Sequence, residues 1–156
     1  MVCLGNICRS PLAEGVLQYK AAKAGLNWTV ESAGTNGFHT GEAPHHLSQK
    51  VARSNGIDIS GQVSRKFTAG DFKDYDRIYA MAADVMEDMI KIGGEAFDPG
   101  KATFFLNELY PGENRDVPDP WYGEEDGYIE VFAWIEEACN AIVQNHLHTQ
   151  TNKATI

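Results

Sequence analysis

Short apolar runs alternate along the chain with longer segments in which apolar residues recur every three or four positions. Runs of apolar and β-branched residues predict strands at 28–32, 77–81 and 103–106, with another short strand at 1–3. Helical spacing predicts four helices, at 10–25, 44–55, 83–92 and 124–147. Strands that alternate with helices predict an α/β fold, in which helices cover both faces of a parallel sheet.

The start of the first predicted helix is marked by Ser10 and Pro11. Serine is a preferred N-cap and proline suits the first helical position. The segment ahead of Ser10 therefore lies at a strand-to-helix junction. Ligands of open α/β sheets bind beyond the carboxyl ends of the strands, which makes this junction the first place to look for a site.

Composition narrows the class of protein. The chain has 156 residues and a net charge of −9, which predict one acidic globular domain that binds neither nucleic acid nor an anionic membrane. We find no signal peptide and no apolar run of the roughly 20 residues that a spanning helix needs. Cys3, Cys8 and Cys139 form no metal-binding pair, so we expect reduced thiols and a cytoplasmic location.

Candidate chemistry is concentrated in the loop from Cys3 to Ser10, whose sequence is Cys-Leu-Gly-Asn-Ile-Cys-Arg-Ser. Five residues between Cys3 and Arg9 allow the backbone to curl until its N–H groups point inward, an arrangement that binds anions. Gly5 and Asn6 tolerate the positive φ that a tight turn demands. Arg9 can clamp a phosphoryl group with two parallel donors.

The same positive field acts on Cys3. Thiols near helix N-termini and cations ionise more readily than free cysteine, and the thiolate is the nucleophilic form. An isolated cysteine or arginine would more often be a buried strand end or a surface cation. The ordered set in this loop instead predicts a nucleophile beside its own anion site.

The segment from Cys3 to Pro11 resembles the signature of low-molecular-weight protein-tyrosine phosphatases, and the resemblance continues at 31–35, 56–58, 64–65 and 119–123. It implies a four-stranded parallel sheet with the phosphate loop between the first strand and the first helix. It also implies a phosphocysteine mechanism without metal or cofactor, acting on phosphotyrosine in a protein or peptide. The resemblance covers a single domain, 1–148, and leaves 149–156 as a flexible tail.

A proton donor for the leaving group is expected in the loop at 114–123. Asp116 and Asp119 both lie there, and composition cannot choose between them. The resemblance selects Asp119, which precedes Pro120, as general acid and then general base. Asp in this setting is otherwise a common turn residue.

The resemblance also implies walls and supports for the pocket. The walls are expected from Phe38, Trp121 and Tyr122, with Trp121 facing the pocket and Tyr122 as easily exposed. Asn6 would hold the loop through Ser32, and Ser10 would donate to the thiolate, although each could be a simple cap or turn residue. The rest of the loop comprises Leu4, Gly5, Ile7 and Cys8.

Several alternatives stay open. Cys8 could form a protective disulfide with Cys3, as the resemblance implies, or could be a small buried hydrophobe. Because only Met1 and Val2 precede Cys3, the first strand is very short or residues are missing, and a short strand would loosen the loop. Rival functions are a thioredoxin-coupled arsenate reductase, a protein-arginine phosphatase and a non-catalytic phosphate-binding module. The sequence does not predict the physiological substrate or the oligomeric state.

Overall fold

The predicted α/β architecture is confirmed by a computed structural model, which describes residues 1–153. Four parallel strands form one sheet in the order β2-β1-β3-β4. The strands are β1 Val2–Cys3, β2 Ala33–Gly34, β3 Ile78–Ala80 and β4 Ala102–Phe104. The helices are α1 Arg9–Lys23, α2 His46–Ser54, α3 Asp71–Asp74, α4 Ala83–Gly93 and α5 Glu125–Lys153, with 3₁₀ turns at Gly94–Ala96 and Phe105–Glu108.

The two faces of the sheet are covered by different helices. Cys3 and Tyr79 point toward a core shared with α1, α2 and α5, whereas Val2 and Ile78 point toward a smaller core shared with α3 and α4. This alternation follows from the two-residue period of a strand. Since every central strand is buried on both sides, its residues are apolar throughout. The carboxyl end of β1 opens directly into the loop that precedes α1.

The predicted strand at 28–32 is wrong. Strand β2 comprises only Ala33 and Gly34, which pair with Val2 and Cys3. Residues 28–32 precede the first pair between β2 and β1, which is Ala33 with Val2. Their backbone bonds to a side chain instead: Val30 N–H donates to Gln18 Oε1 at 3.1 Å, and Gln18 Nε2 donates to Trp28 O at 2.9 Å.

The last helix extends beyond its predicted end. Residues 149–153, assigned to a flexible tail, belong to α5. No glycine or proline interrupts this segment, and the hydroxyl of Thr149 bonds back to Asn145 O at 2.9 Å within the helix. The rest of the proposed tail, 154–156, lies outside the described residues. Within residues 1–153, no helix is both long and apolar enough to cross a membrane.

Candidate active site

The loop between β1 and α1 turns its carbonyl groups outward. Five of its carbonyl oxygens accept hydrogen bonds from other segments: Cys3 from Thr35 N (3.0 Å), Leu4 from Asn36 N (3.0 Å), Gly5 from Ser64 Oγ (3.3 Å), Ile7 from His45 N (2.8 Å) and Cys8 from Ser48 Oγ (3.2 Å). In a trans peptide the next N–H points the opposite way. The N–H groups that follow these carbonyls therefore face the inside of the loop, which makes it an anion cradle.

Asn6 holds the shape of this cradle. Its φ of 57° lies in the left-handed region that asparagine tolerates. Its buried amide nitrogen donates to Ser10 Oγ at 2.8 Å and to Ser32 Oγ at 2.9 Å, and its amide oxygen accepts from Arg65 N–H at 3.0 Å. Three separate segments are thus tied to one side chain.

Gly5 does not have the positive φ expected from sequence. Its missing side chain gives space to His39 instead, because a Cβ at Gly5 would lie 3.1 Å from Cδ2 of His39. The reason for glycine at this position is therefore a close approach across the loop.

Cys3 lies at the bottom of the cradle and is buried. Its sulfur is 3.0 Å from Ser10 Oγ and accepts from Asn6 N–H at 3.2 Å. Ser10 is not the N-cap of α1, because the helix already begins at Arg9. The Ser10 hydroxyl is engaged by Cys3 and Asn6 rather than by the helix backbone.

A chain of hydrogen bonds continues from this cluster to Glu14, a residue that the sequence analysis missed. Ser32 Oγ donates to Glu14 Oε1 at 3.0 Å while it accepts from Asn6. Burial raises the pKa of the Glu14 carboxyl above its ordinary value. The only sequence signal for Glu14 was its place one turn into α1, which is common to many surface residues.

Arg9 and Asp119 meet at the mouth of the loop. Arg9 is buried, and its Nη1 donates to Val117 O at 3.0 Å while its Nη2 lies 3.5 Å from Asp119 Oδ2. The Asp119 side chain keeps 37% of its surface exposed, so it can reach both solvent and a bound group. Its other oxygen accepts from Trp121 N–H at 3.0 Å, which fixes the carboxylate.

The structure distinguishes the role of Asp119 from that of Asp116, a choice that composition leaves open. Asp116 Oδ1 accepts a hydrogen bond of 2.8 Å from Ala83 N–H, the first residue of α4. Asp116 therefore serves the start of a helix, where an acidic side chain is stabilising. Of the two carboxylates, Asp119 is the one that faces Arg9.

The pocket walls differ from those expected. Phe38 is 85% exposed and occupies a tight turn, where its N–H donates to Asn36 Oδ1, so its ring points into solvent. The ring that lies over the loop is that of His39, whose centroid is 5.4 Å from the centroid of Trp121. Trp121 also meets the ring of His45 edge-on, at 5.5 Å between centroids. Tyr122 is 93% exposed.

Neither histidine was predicted as a wall. Within a turn, only the direction of the backbone decides which of two adjacent rings faces inward, and no local pattern records that direction. His39 is held by Glu42, whose Oε2 lies 2.6 Å from His39 Nδ1. His45 caps α2 by accepting from Leu47 N–H at 3.1 Å, and burial lowers its pKa.

Cys8 is on the same loop but in a different environment. Its sulfur lies 3.5 Å from the hydroxyl of Tyr128 in the core, and burial raises its pKa to about 12. Cys139 is fully buried on α5, where burial also raises its pKa. The three cysteines are free in the structure. In the part of the chain that is described, no three His, Cys, Asp or Glu side chains are grouped as a metal site.

Taken together, the geometry gathers an anion cradle, a buried sulfur, a guanidinium and a partly exposed carboxylate at one edge of the sheet. These are the groups required to transfer a phosphoryl group to sulfur and to protonate a leaving oxygen. The predicted residues Cys3, Asn6, Arg9, Ser10, Ser32 and Asp119 all contact this assembly.

Comparisons with known proteins agree on one family. A family model described as low molecular weight phosphotyrosine protein phosphatase matches residues 1–153. A protein of that name from Schizosaccharomyces pombe is 37% identical over 134 residues, which cover 84% of this chain and 85% of the relative. The low molecular weight protein-tyrosine-phosphatase YfkJ of Bacillus subtilis is 35% identical over 144 residues, covering 91% and 90%.

Solved structures give the same result. A protein tyrosine phosphatase from Entamoeba histolytica superposes with a TM-score of 0.86 at 31% identity, and covers 96% of each chain. Wzb from Vibrio vulnificus, solved in complex with benzylphosphonate, superposes with a TM-score of 0.83 at 31% identity and covers 92% of this chain and 94% of that one.

Proposed function

The chain belongs to the low molecular weight phosphotyrosine protein phosphatase family, and on that premise we propose that it hydrolyses phosphotyrosine through a phosphocysteine intermediate on Cys3. The family consists of metal-independent phosphoric monoester hydrolases. The observation that carries this proposal is the meeting of Cys3, Arg9 and Asp119 around a loop whose carbonyls point outward. An anion in that loop would lie directly against the sulfur.

In the first step, the thiolate of Cys3 attacks phosphorus and forms the S–P bond as the P–O bond to the tyrosine oxygen breaks. Arg9 and the inward N–H groups hold the three other phosphoryl oxygens, where negative charge is concentrated in the transition state. Asp119 gives its proton to the departing phenol oxygen. Its position beside Arg9 and its partial exposure suit a group that exchanges protons with a ligand and with solvent.

In the second step, a water molecule attacks the phosphocysteine. Asp119, now ionised, accepts a proton from that water, the S–P bond breaks, and inorganic phosphate leaves with Cys3 again a thiolate. Ser10 stabilises the leaving thiolate, because its hydroxyl is 3.0 Å from the sulfur. The atoms balance as ester plus water giving tyrosine plus phosphate.

An aromatic leaving group suits the walls of the pocket. The His39 ring lies beside the cradle with the Trp121 ring next to it, and such rings contact another ring favourably at centroid distances of about 4.5–7 Å. The benzylphosphonate bound by the Wzb relative has the same combination of a ring and a phosphorus oxyanion. A phosphoserine side chain is shorter and would not bring its phosphorus to the bottom of the loop.

The experiment that tests this proposal is metal-free hydrolysis of para-nitrophenyl phosphate and of phosphotyrosine, phosphoserine and phosphoarginine peptides. We expect turnover of the aryl and phosphotyrosine esters, and a loss of about 10⁴-fold or more in Cys3→Ser. The matched control is Cys8→Ser, which replaces the other loop thiol and should keep most of the activity. A folded wild-type protein that binds phosphate but does not turn over would instead identify a non-catalytic binding module.

The chemistry of the free thiols bears on the cellular compartment in which the reaction takes place. Free thiols at Cys3, Cys8 and Cys139 suit a reducing compartment, so we propose that the enzyme acts in the cytoplasm on phosphoproteins or phosphopeptides. With a net charge of −9, anionic substrates must be attracted by the local field of the loop rather than by the surface as a whole.

A further inference from the structure

His45 joins the phosphate loop to the first turn of α2. Its backbone N–H donates to Ile7 O at 2.8 Å, and its Nδ1 accepts from Leu47 N–H at 3.1 Å. The preferred N-cap residues make the second contact with a side-chain oxygen, and histidine is not among them. The residue is therefore fixed at two points, next to the loop that would hold the phosphate.

The ring of His45 contacts both the core and the acid loop, which comprises residues 119–123. It lies nearly parallel to the ring of Tyr128, at 18° and 5.1 Å between centroids, and Tyr128 is fully buried on α5. It meets the ring of Trp121 at 74° and 5.5 Å. The His45 ring thus connects the partly exposed Trp121 to the buried core.

The acid loop depends on such side-chain contacts for its position. Across the described residues, 1–153, its backbone groups form hydrogen bonds only within the loop, from Trp121 N–H to Asp119 Oδ1 at 3.0 Å and from Gly123 N–H to Pro120 O at 2.9 Å. Its polar and ring contacts to other segments come from the Asp119 carboxylate, 3.5 Å from Arg9, and from the Trp121 ring. Because Trp121 N–H holds the carboxylate, a displacement of Trp121 would displace Asp119 with it.

Positive charge on the His45 ring would break its contact with α2. A protonated imidazole donates at both nitrogens, so Nδ1 could no longer accept from Leu47 N–H, and the two donors would repel. The charge would also lie at the positive end of a helix dipole and beside His46, whose ring is 4.4 Å away between centroids. Burial, and secondly His46, lower the pKa of His45 below its ordinary value of 6.5. The ring is therefore neutral at pH 7 and must leave its present position when it is protonated.

The other titratable groups around the ring do not offer a counter-charge that is free. They are His46 on α2, Tyr128 on α5, His39 beside Trp121, and Asp119 in the acid loop. Burial raises the pKa of Tyr128 well above its ordinary value, so its hydroxyl is uncharged. His39 already has Glu42 as its partner, and Asp119 already faces Arg9. The surroundings therefore favour the neutral form of His45.

We propose that His45 is a positioning residue for Asp119: its neutral ring holds Trp121 against the core, and protonation of the ring releases Trp121 and withdraws Asp119 from the leaving oxygen. This inference rests on the proposed phosphatase reaction, in which Asp119 is the proton donor. A proton donor matters most when the leaving oxygen is strongly basic. Hydrolysis of phenyl phosphate should therefore depend on His45 more than hydrolysis of para-nitrophenyl phosphate does.

Two variants separate the ring of His45 from its role as a cap. His45→Asn keeps an acceptor for Leu47 N–H and removes the ring, whereas His45→Phe keeps a ring that cannot be protonated and removes the acceptor. At pH 7 we expect His45→Asn to lower kcat/KM about tenfold for phenyl phosphate and less than about threefold for para-nitrophenyl phosphate. His45→Phe should keep both values within about threefold of wild type and melt a few degrees lower. Circular dichroism checks that each variant folds.

The pH dependence supplies a second measurement. As the pH falls from 7 to 5, kcat/KM of wild type for phenyl phosphate should fall at least about threefold relative to His45→Phe, because only wild type can protonate this ring. His46→Gln removes the neighbouring positive charge and so should raise the pKa of His45. The decline should then begin at a higher pH in His46→Gln than in wild type, while the two rates agree at pH 8.

A third measurement does not need turnover. In ¹⁵N-labelled protein, one step in the pH titration of the Trp121 indole N–H signal should be lost in His45→Phe and should move to higher pH in His46→Gln. The internal control is Trp28, whose ring meets that of His146 edge-on at 4.9 Å between centroids. Its indole signal should titrate identically in all three proteins.

Equal losses on both esters in His45→Asn, or matching pH profiles of wild type and His45→Phe, would overturn the inference and leave His45 as a cap alone. The same conclusion would follow if the Trp121 signal titrated identically in wild type and His45→Phe. If His45→Asn does not fold, His46→Gln and the Trp121 signal decide the question. If wild type hydrolyses neither ester, the proposed function is wrong, and the Trp121 signal still shows whether His45 holds that ring.

Discussion

The two ends of β1 are held in opposite ways. At the carboxyl end, five loop carbonyls and the side chain of Asn6 are bonded to surrounding segments. At the amino end, the Met1 amine makes one bond to Glu31 O, and a cleft separates the flanking chains. The same two-residue strand therefore joins a loop with many hydrogen bonds to an open cleft.

This contrast shows that the loop is held largely by segments other than β1. From the sequence alone, a short β1 predicts a looser loop. In the structure, the hydrogen bonds that hold the loop come from residues 32–36, 45–48 and 64–65, none of which depends on β1 being long. Each such bond contributes about 0.5–1.5 kcal/mol.

The largest expected effect is on turnover at the carboxyl end of β1. It distinguishes the proposed proton donor, Asp119, from Asp116, which only supports the fold. Asp119→Ala should lower kcat for phosphotyrosine by about 10²–10⁴-fold with little change in KM, because only the proton donor is lost. The control is Asp116→Ala, which removes a helix-capping contact. It should leave kcat within about twofold and lower the melting temperature by a few degrees. Steady-state kinetics and thermal melts measure both; unchanged turnover in Asp119→Ala would remove the assigned role.

The next prediction compares polar side chains at the two ends. Asn6→Ala loses two buried hydrogen bonds and one part-buried bond and forces alanine into a left-handed backbone, so it should lower the free energy of unfolding by about 3 kcal/mol. Asn145→Ala, at the rim of the cleft, removes one exposed bond to Glu108 and should cost less than about 0.5 kcal/mol. Urea unfolding gives both values. Similar losses for the two variants would contradict the contrast between the ends.

The smallest expected effect concerns the Met1 amine and pH. Folding lowers its pKa from 8.0 to about 6, so between these values the unfolded chain binds more protons than the folded one. The free energy of unfolding should therefore rise by about 2 kcal/mol from pH 6 to pH 8, and fall by the same amount when the pH is returned to 6. Urea unfolding across this range measures the slope. N-terminal acetylation, which removes the titrating group, should flatten it; an identical slope in the acetylated protein would assign the effect to other groups.

Much of the site could be predicted from the sequence because it lies in one contiguous segment. Cys3, Asn6, Arg9 and Ser10 fall within eight residues, so their spacing alone brings them to one loop. The contribution of Asp119 needed the resemblance to a family, since Asp116 has the same local context. His39 was missed because it competes with Phe38 in a turn whose backbone direction no local pattern records.

The sequence by itself determined the α/β class, the strand-to-helix junction and the order of the candidate nucleophile and the candidate clamp, because these depend on local periodicity and on residues close along the chain. Only the tertiary structure decided which carboxylate faces Arg9, which ring covers Gly5, and that residues 28–32 remain outside the sheet. Each of these depends on a partner distant in sequence: a helix start at Ala83, a turn above the loop, and the strand β1, which begins at Val2. Contacts between residues that are distant in sequence form only when separate segments pack together, so no short stretch of sequence predicts them.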